Sequence, residues 1–141
     1  MNYIPNDITT AKFLGYFSIG LGLLELVAAR RLRDTLGVPV PSAVLRGFGA
    51  REVAAGMGVL TYPDNPRPMW SRVGGDVLDV AVLASGLSRA NPNRGVALGA
   101  LAAVLAITAL DVAVATALQQ REGRALRTAR RTRVKHDPAA A

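Results

Sequence analysis

The chain has 141 residues, which fits a single domain, and half of them are hydrophobic although only 5% are aromatic. A formal net charge of +7 together with a mean hydropathy of +0.25 indicates that charged residues are segregated from apolar stretches, as in integral membrane proteins. The chain has no cysteine, which excludes disulfides and cysteine-ligated metals, and its one histidine, His136, lies in a basic tail, which argues against histidine-based catalysis. The sequence therefore predicts no catalytic residue, no metal ligand and no cofactor.

Four apolar runs approach the length of about 20 residues that crosses a bilayer, and they predict an all-α fold, a four-helix transmembrane bundle with short loops. The predicted helices are 11–29, 43–61, 70–88 and 95–118. The first has Glu25 in its interior and the fourth has Asp111 as its one ionisable residue, whereas the second and third have three each. The second and third runs therefore fit a membrane only when they are buried against partner helices.

Small residues in the first two predicted helices allow their backbones to approach closely. They are Gly15, Ser18 and Gly22 in the first helix, and Gly49, Ala50 and Gly56 in the second. Prolines between Tyr62 and Trp70, and the sequence Asn91-Pro92-Asn93, predict the later loops. Ser42 is the predicted N-cap of the second helix.

The distribution of basic residues predicts the orientation, because the cytoplasmic ends of transmembrane helices are enriched in lysine and arginine. If all four helices span, nine basic residues lie on the side of the termini and five on the other, so both termini are predicted to be cytoplasmic. An alternative makes segment 43–61 re-entrant, which moves the N-terminus to the other side and brings Arg30, Arg31 and Arg33 to the side of the tail, which stays cytoplasmic. The first ten residues contain no basic residue, and we expect no cleaved signal peptide.

Eight ionisable residues fall within the predicted helices, where each costs about 2.5 to 3.5 kcal/mol unless it has a partner. They are Glu25, Arg46, Arg51, Glu52, Arg72, Asp76, Asp79 and Asp111. Helical spacing places Arg72, Asp76 and Asp79 on one face, so Arg72 is the expected counterion of both aspartates. Together the eight predict an intramembrane charged network that joins the helices.

This network permits a structural and a functional interpretation. In the structural one, polar contacts hold thin, alanine- and glycine-rich helices in register. In the functional one, five carboxylates outnumber three arginines by two, so two acids must be protonated, paired with interfacial arginines or neutralised by a cation. The spacing of Asp76 and Asp79 also occurs in lipid and prenyl transferases, but no second aspartate-rich motif accompanies it, and an enzyme is the least favoured class.

Basic residues recur at helical spacing near the C-terminus and predict an extension of the fourth helix that contacts anionic lipid headgroups. They are Arg121, Arg124, Arg127, Arg130, Arg131, Arg133 and Lys135. No aromatic residue follows Arg121 to stack on a base, so nucleic acid is not an expected partner.

Four stretches of the chain together carry a family resemblance. They are GYFSIGLGLLELVAARRL at 15–32, LRGFGAREVAAGMGVL at 45–60, WSRVGGDVLDVAVL at 70–83 and AITALDV at 106–112. These stretches resemble the hydrophobic region of bacterial cyclase/dehydrase-like membrane proteins and, more remotely, small four-helix proteins of the DoxX type. The resemblance implies a bacterial inner-membrane location and no transferable activity. This sequence lacks the START-type domain that often follows the region.

These observations predict a four-helix transmembrane domain at 1–120 and a basic cytoplasmic tail at 121–141. The expected function is a non-catalytic small subunit or scaffold of a membrane assembly, acting as a homo-oligomer or within a larger complex. The alternative is a small transporter or a proton- or cation-conducting protein that uses the unpaired carboxylates. A scaffold predicts a dry, fully paired core, whereas a transporter predicts a water-accessible cavity that reaches Asp76 or Asp79.

Overall fold

The computed structural model describes residues 7–136, and it confirms the all-α prediction, because this part of the chain forms four helices and no strand. The helices are α1 (Asp7–Leu36), α2 (Ser42–Thr61), α3 (Pro66–Ser85) and α4 (Arg94–His136). Short connections make successive helices antiparallel, and α1 packs mainly on α2 while α3 packs mainly on α4. Two helices, α1 and α4, are long and apolar enough to cross a membrane.

The helix α1 has a kink one residue before its predicted end, because Ala28 (φ −105°, ψ 15°) is not helical, and the helix then resumes as far as Leu36. A glycine-based cap follows Leu36. Gly37 adopts the left-handed conformation (φ +62°), and the Val38 amide donates to the Arg33 carbonyl at 3.3 Å, as in a Schellman motif. The side-chain amide of Asn91, from the α3–α4 connection, donates to the Leu36 carbonyl at 2.9 Å. The two loops are therefore tied together at this end of the bundle.

The starts of α2 and α3 also differ from the predicted ones. The predicted N-cap at Ser42 is wrong, because Pro41 is the N-cap and Ser42 is already helical. α3 begins at Pro66 rather than Trp70, because a proline in the first turn of a helix gives up no hydrogen bond. α2 is one uninterrupted helix of 20 residues.

Glycines bring α1 and α2 together backbone to backbone. A Cβ on Gly22 would lie 2.5 Å from the Gly49 carbonyl oxygen, and a Cβ on Gly56 would lie 2.6 Å from the Gly15 carbonyl oxygen. The small-residue faces predicted for these helices therefore meet, with the difference that Ala50 is exposed. Along the helix axes, the buried polar side chains lie between these two glycine contacts.

The helix α4 is the longest, with 43 residues, and its second half extends beyond the other helices. Val114, Ala115 and Leu118 belong to the apolar core, together with buried residues of α1, α2 and α3. From Arg124 to Arg133 the side chains are exposed. The helical extension predicted from the spacing of the arginines is confirmed.

Candidate functional site

A buried ion network is centred on Arg72 of α3, whose side chain is 1% exposed. Its Nη1 donates to Oε2 of Glu52 on α2 at 3.2 Å. Its Nε and Nη2 lie 3.1 and 2.9 Å from Oδ2 of Asp111 on α4. Glu52 and Asp111 are also buried. Because an isolated charge is strongly destabilised away from water, these three side chains depend on one another.

Glu52 extends this network to further helices. Its Oε1 accepts from Nη2 of Arg51 at 2.6 Å, and the same Nη2 donates to Oδ2 of Asp79 on α3 at 2.9 Å. The hydroxyl of Ser18 on α1 lies within hydrogen-bonding distance of the Glu52 carboxylate and, at 2.8 Å, of its backbone carbonyl. The connected path consists of Asp79, Arg51, Glu52, Arg72 and Asp111. With Ser18 attached, it involves all four helices.

One glycine of α3 makes room for Arg51 to reach Asp79. A Cβ on Gly75 would coincide with Nη1 of Arg51, whereas a Cβ on Gly74 would have nothing within 4 Å. The guanidinium therefore lies directly against the backbone of α3, and it also stands 5.7 Å from the centroid of the Phe48 ring. Sequence reasoning missed this role of Gly75, although the adjacent glycines beside two aspartates were the available indication.

The partners of Arg72 are not the ones that helical spacing predicts. Its ion pairs reach across to α2 and α4, while Asp79 pairs with Arg51. Asp76 lies beside Asp111 and is 5% exposed, and its Oδ2 has no hydrogen-bond partner among the described residues. Helical spacing determines which residues share a face, but a long arginine side chain is equally able to pair with neighbouring helices.

Two predicted members of the network form none of its ion pairs. Arg46 is exposed on α2, in the neighbourhood of Arg30 on α1. Glu25 is half-buried, and its Oε2 has no hydrogen-bond partner in the described part of the chain. With Arg46 outside, five carboxylates share only Arg51 and Arg72. The formal excess of negative charge is therefore three rather than the predicted two.

A cavity of about 190 Å³ lies next to this acidic region and is bounded by all four helices. Glu25 and Asp79 line it, and its other lining residues are all apolar. They include Leu36, Leu45, Phe48, Leu83, Ala100 and Val104. The cavity thus reaches one of the two aspartates that the sequence marked as candidates for transport.

Carboxylate oxygens of Glu52, Asp76 and Asp79 lie within 4.8 Å of one another. Guanidinium groups of Arg51 and Arg72 already donate to Glu52 and Asp79. This acidic cluster is therefore a part of the ion network, in which the carboxylates act as acceptors.

The basic residues of the tail divide into two groups. Arg121 forms an ion pair with Asp7 at 2.8 Å, which joins the start of α1 to α4. Five arginines are exposed, as contact with lipid headgroups requires: Arg124, Arg127, Arg130, Arg131 and Arg133. Lys135 lies outside the residues whose side chains the structure describes.

The chain matches no protein-family model, no curated protein and no solved structure. The fold and the site define residues 7–136 as an all-α structure of four helices with a buried ion network.

Proposed function

We propose that the protein is a non-catalytic integral membrane protein, a small subunit or scaffold of a membrane assembly. The observation that supports this proposal is an inverted distribution of polarity, in which Arg72 is 1% exposed at the centre while Val27 is 86% exposed at the surface. In water, both features are unfavourable. In a bilayer, the outer side chains contact hydrocarbon, and the buried charges and the Ser18 hydroxyl hold the helices in register.

Large apolar side chains are exposed on every helix, which supports membrane contact for α2 and α3 as well as for α1 and α4. Examples are Phe13, Met57, Val77 and Leu105. Helices α2 and α3 have 20 residues each, or about 30 Å at 1.5 Å per residue, close to the thickness of the hydrocarbon core. An uninterrupted α2 favours a span at 43–61 over a re-entrant segment, with both termini cytoplasmic.

Reporter fusions test this topology. A reporter after Ala141 is expected to be active on the cytoplasmic side, because the tail is strongly basic. A reporter inserted at Pro39 is expected on the opposite side if α2 spans, and on the cytoplasmic side if α2 is re-entrant. Activity outside the cytoplasm from the fusion after Ala141 would contradict the proposed orientation.

A second candidate function, a small transporter or a proton- or cation-conducting protein, is supported by the excess of buried acid. Glu25 and Asp76 have oxygens without partners among the described residues, and the cavity reaches Asp79. A cavity beside unmatched carboxylates has no role in a scaffold, whereas a site that takes up cations requires both the cavity and the carboxylates.

Flux into sealed vesicles that contain the full chain separates these two functions. A conduit predicts proton or cation flux above that of empty liposomes, and loss of that flux in Asp79→Asn while the bundle stays folded. A scaffold predicts no flux above empty liposomes and little effect of Asp79→Asn, because an asparagine oxygen still accepts from Arg51. Glu122→Gln, a change at an exposed site on α4, is the matched control.

We further propose that the exposed arginines of α4 contact anionic headgroups and that the protein assembles with its own copies or within a larger complex. The resemblance to the hydrophobic region of cyclase/dehydrase-like membrane proteins fits such a role. Purification from native membranes, with identification of the proteins that migrate with it, tests the assembly.

A further inference from the structure

We propose that the cavity between the four helices binds a small lipophilic amine, with its ammonium group against Glu25 and Asp79 and its apolar body toward Leu36 and Leu45. This inference concerns binding alone, and it holds whether or not the ligand is carried across a membrane. It rests on the cavity, on its apolar walls and on the charge at one side of it.

The walls and the volume of the cavity select a ligand with a compact apolar body. Apart from the two carboxylates, the lining residues offer only hydrocarbon surface, including the Phe48 ring. The volume is about 190 Å³, and an apolar cavity of about 150 Å³ is known to accept benzene. One ring, or an alkyl chain of similar size, therefore fits.

The carboxylates of the cavity select a positive charge. The Oε2 of Glu25 has no hydrogen-bond partner among the described residues, and Asp79 has one ion pair, from Arg51 at 2.9 Å. Across the whole charged region, from Glu25 to Asp111, the acids exceed the arginines by three formal charges. An ammonium group has three donors and no acceptor, so it matches oxygens that lack donors.

Other occupants fit less well. A lipid tail or a neutral solute would fill the apolar part and leave the Glu25 oxygen unmatched. Calcium and magnesium take six or more oxygen ligands, whereas the hydrocarbon walls leave only two carboxylates to supply them. An anion would meet uncompensated negative charge.

Fluorine NMR titration of the full chain in lipid nanodiscs tests this proposal with a fluorinated benzylammonium as the probe. The matched probes are the fluorinated benzyl alcohol, which is neutral, and the fluorinated benzoate, which is negative. Empty nanodiscs measure partition of each probe into lipid. We expect saturable binding of the ammonium probe to the protein, with affinity for the alcohol and the benzoate at least about tenfold weaker.

Two variants address the charge and the space separately. Glu25→Gln is expected to weaken binding of the ammonium probe about tenfold or more, because it removes a charged acceptor. Ala100→Leu is expected to abolish binding by filling the cavity, even if Glu25→Gln were to fold poorly. Glu122→Gln removes an exposed carboxylate of α4 and is expected to leave binding unchanged.

Three results would overturn the proposal. One is the absence of saturable binding to the wild-type protein. Another is equal affinity for the ammonium and the alcohol, which would mean that the cavity recognises apolar groups only. The third is equal binding by folded Glu25→Gln and Glu122→Gln, as expected if Arg51 turns away from Asp79 to neutralise Glu25. Failure of the flux experiment described above would leave this binding result unaffected.

Discussion

The two ends of the buried charged region differ in their ion pairs and in their packing. Around Arg72, two carboxylates on neighbouring helices accept its hydrogen bonds, and all three side chains are at most 2% exposed, although Oδ1 of Asp111 has no partner among the described residues. Around Glu25, a carboxylate oxygen lacks a partner among the described residues, and a cavity takes the place of packed side chains. The first end joins neighbouring helices through ion pairs, whereas the second has a carboxylate and a cavity that are free to bind a ligand.

This difference shows that the depth of a charged residue does not determine its role. A buried charge with well-placed partners stabilises the association of its helices, and removal of one partner leaves the others uncompensated. A buried charge without a partner lowers stability unless a proton or a ligand satisfies it. Substitutions at the Arg72 end should therefore mainly lower stability, whereas Glu25→Gln should mainly weaken binding.

The largest loss of stability is expected from Arg72→Met. It leaves Asp111 buried without its counterion and Glu52 with Arg51 alone, and breaking a buried pair in this way costs about 3–5 kcal/mol. The free energy of unfolding, measured by titration with a denaturing detergent, gives the magnitude. Arg46→Met is the control, because Arg46 is exposed, and a change within about 0.5 kcal/mol is expected there. Similar losses in both variants would remove the basis for an Arg72-centred network.

Gly22→Ala is expected to come next. Its Cβ would lie 2.5 Å from a backbone oxygen of α2, so the two helices must separate, at about 1–3 kcal/mol. Gly20→Ala is the matched control on the same helix, because a Cβ there meets nothing within 4 Å. Helix propensity favours that change by up to about 1 kcal/mol. The same unfolding titration should give opposite signs, and equal effects would argue against the backbone contact.

A smaller loss is expected when Gly75→Ala is compared with Gly74→Ala. The new Cβ at position 75 displaces the Arg51 guanidinium from Asp79, but the far end of an arginine side chain is able to move. We expect Gly75→Ala to be less stable than Gly74→Ala by about 1 kcal/mol, which is less than the roughly 1.5–3 kcal/mol of a hydrogen bond to a charged group because the guanidinium keeps part of its contact. Indistinguishable unfolding free energies would mean that the Arg51–Asp79 pair contributes nothing.

The smallest effect on stability is expected for Glu25→Gln, at about 0.5 kcal/mol or less, because its Oε2 has no partner in the described structure that would be lost. Glu52→Gln has the same chemistry but weakens the contacts to Arg51 and Arg72, so it should be clearly destabilising. The pair compares the two ends of the charged region directly. A larger loss at Glu25 than at Glu52 would reverse our interpretation of which end is structural.

Much of the fold could be predicted because it follows from local properties of the chain. The number of helices and the continuation of α4 into the basic tail depend on apolar length and helical spacing, which are visible in one segment at a time. The glycine face of α1 that meets α2 was visible for the same reason. The resumption of α1 from its kink at Ala28 to Leu36 and the start of α3 at Pro66 were missed because capping geometry and proline tolerance act within a single turn.

The partners within the charged region could be predicted only in part. The sequence by itself determined that several charges must lie among apolar helices and that acids outnumber arginines, because both follow from counting. Only the tertiary structure decided that Arg46 faces outward, that Arg72 pairs with Glu52 and Asp111, and that Glu25 borders a cavity. Those choices depend on the rotation and the spacing of whole helices, which are set where Gly22 meets Gly49 and where Gly75 admits Arg51. A pattern read along one helix contains no information about its neighbour's rotation, and this is why spacing alone paired Arg72 with the wrong acids.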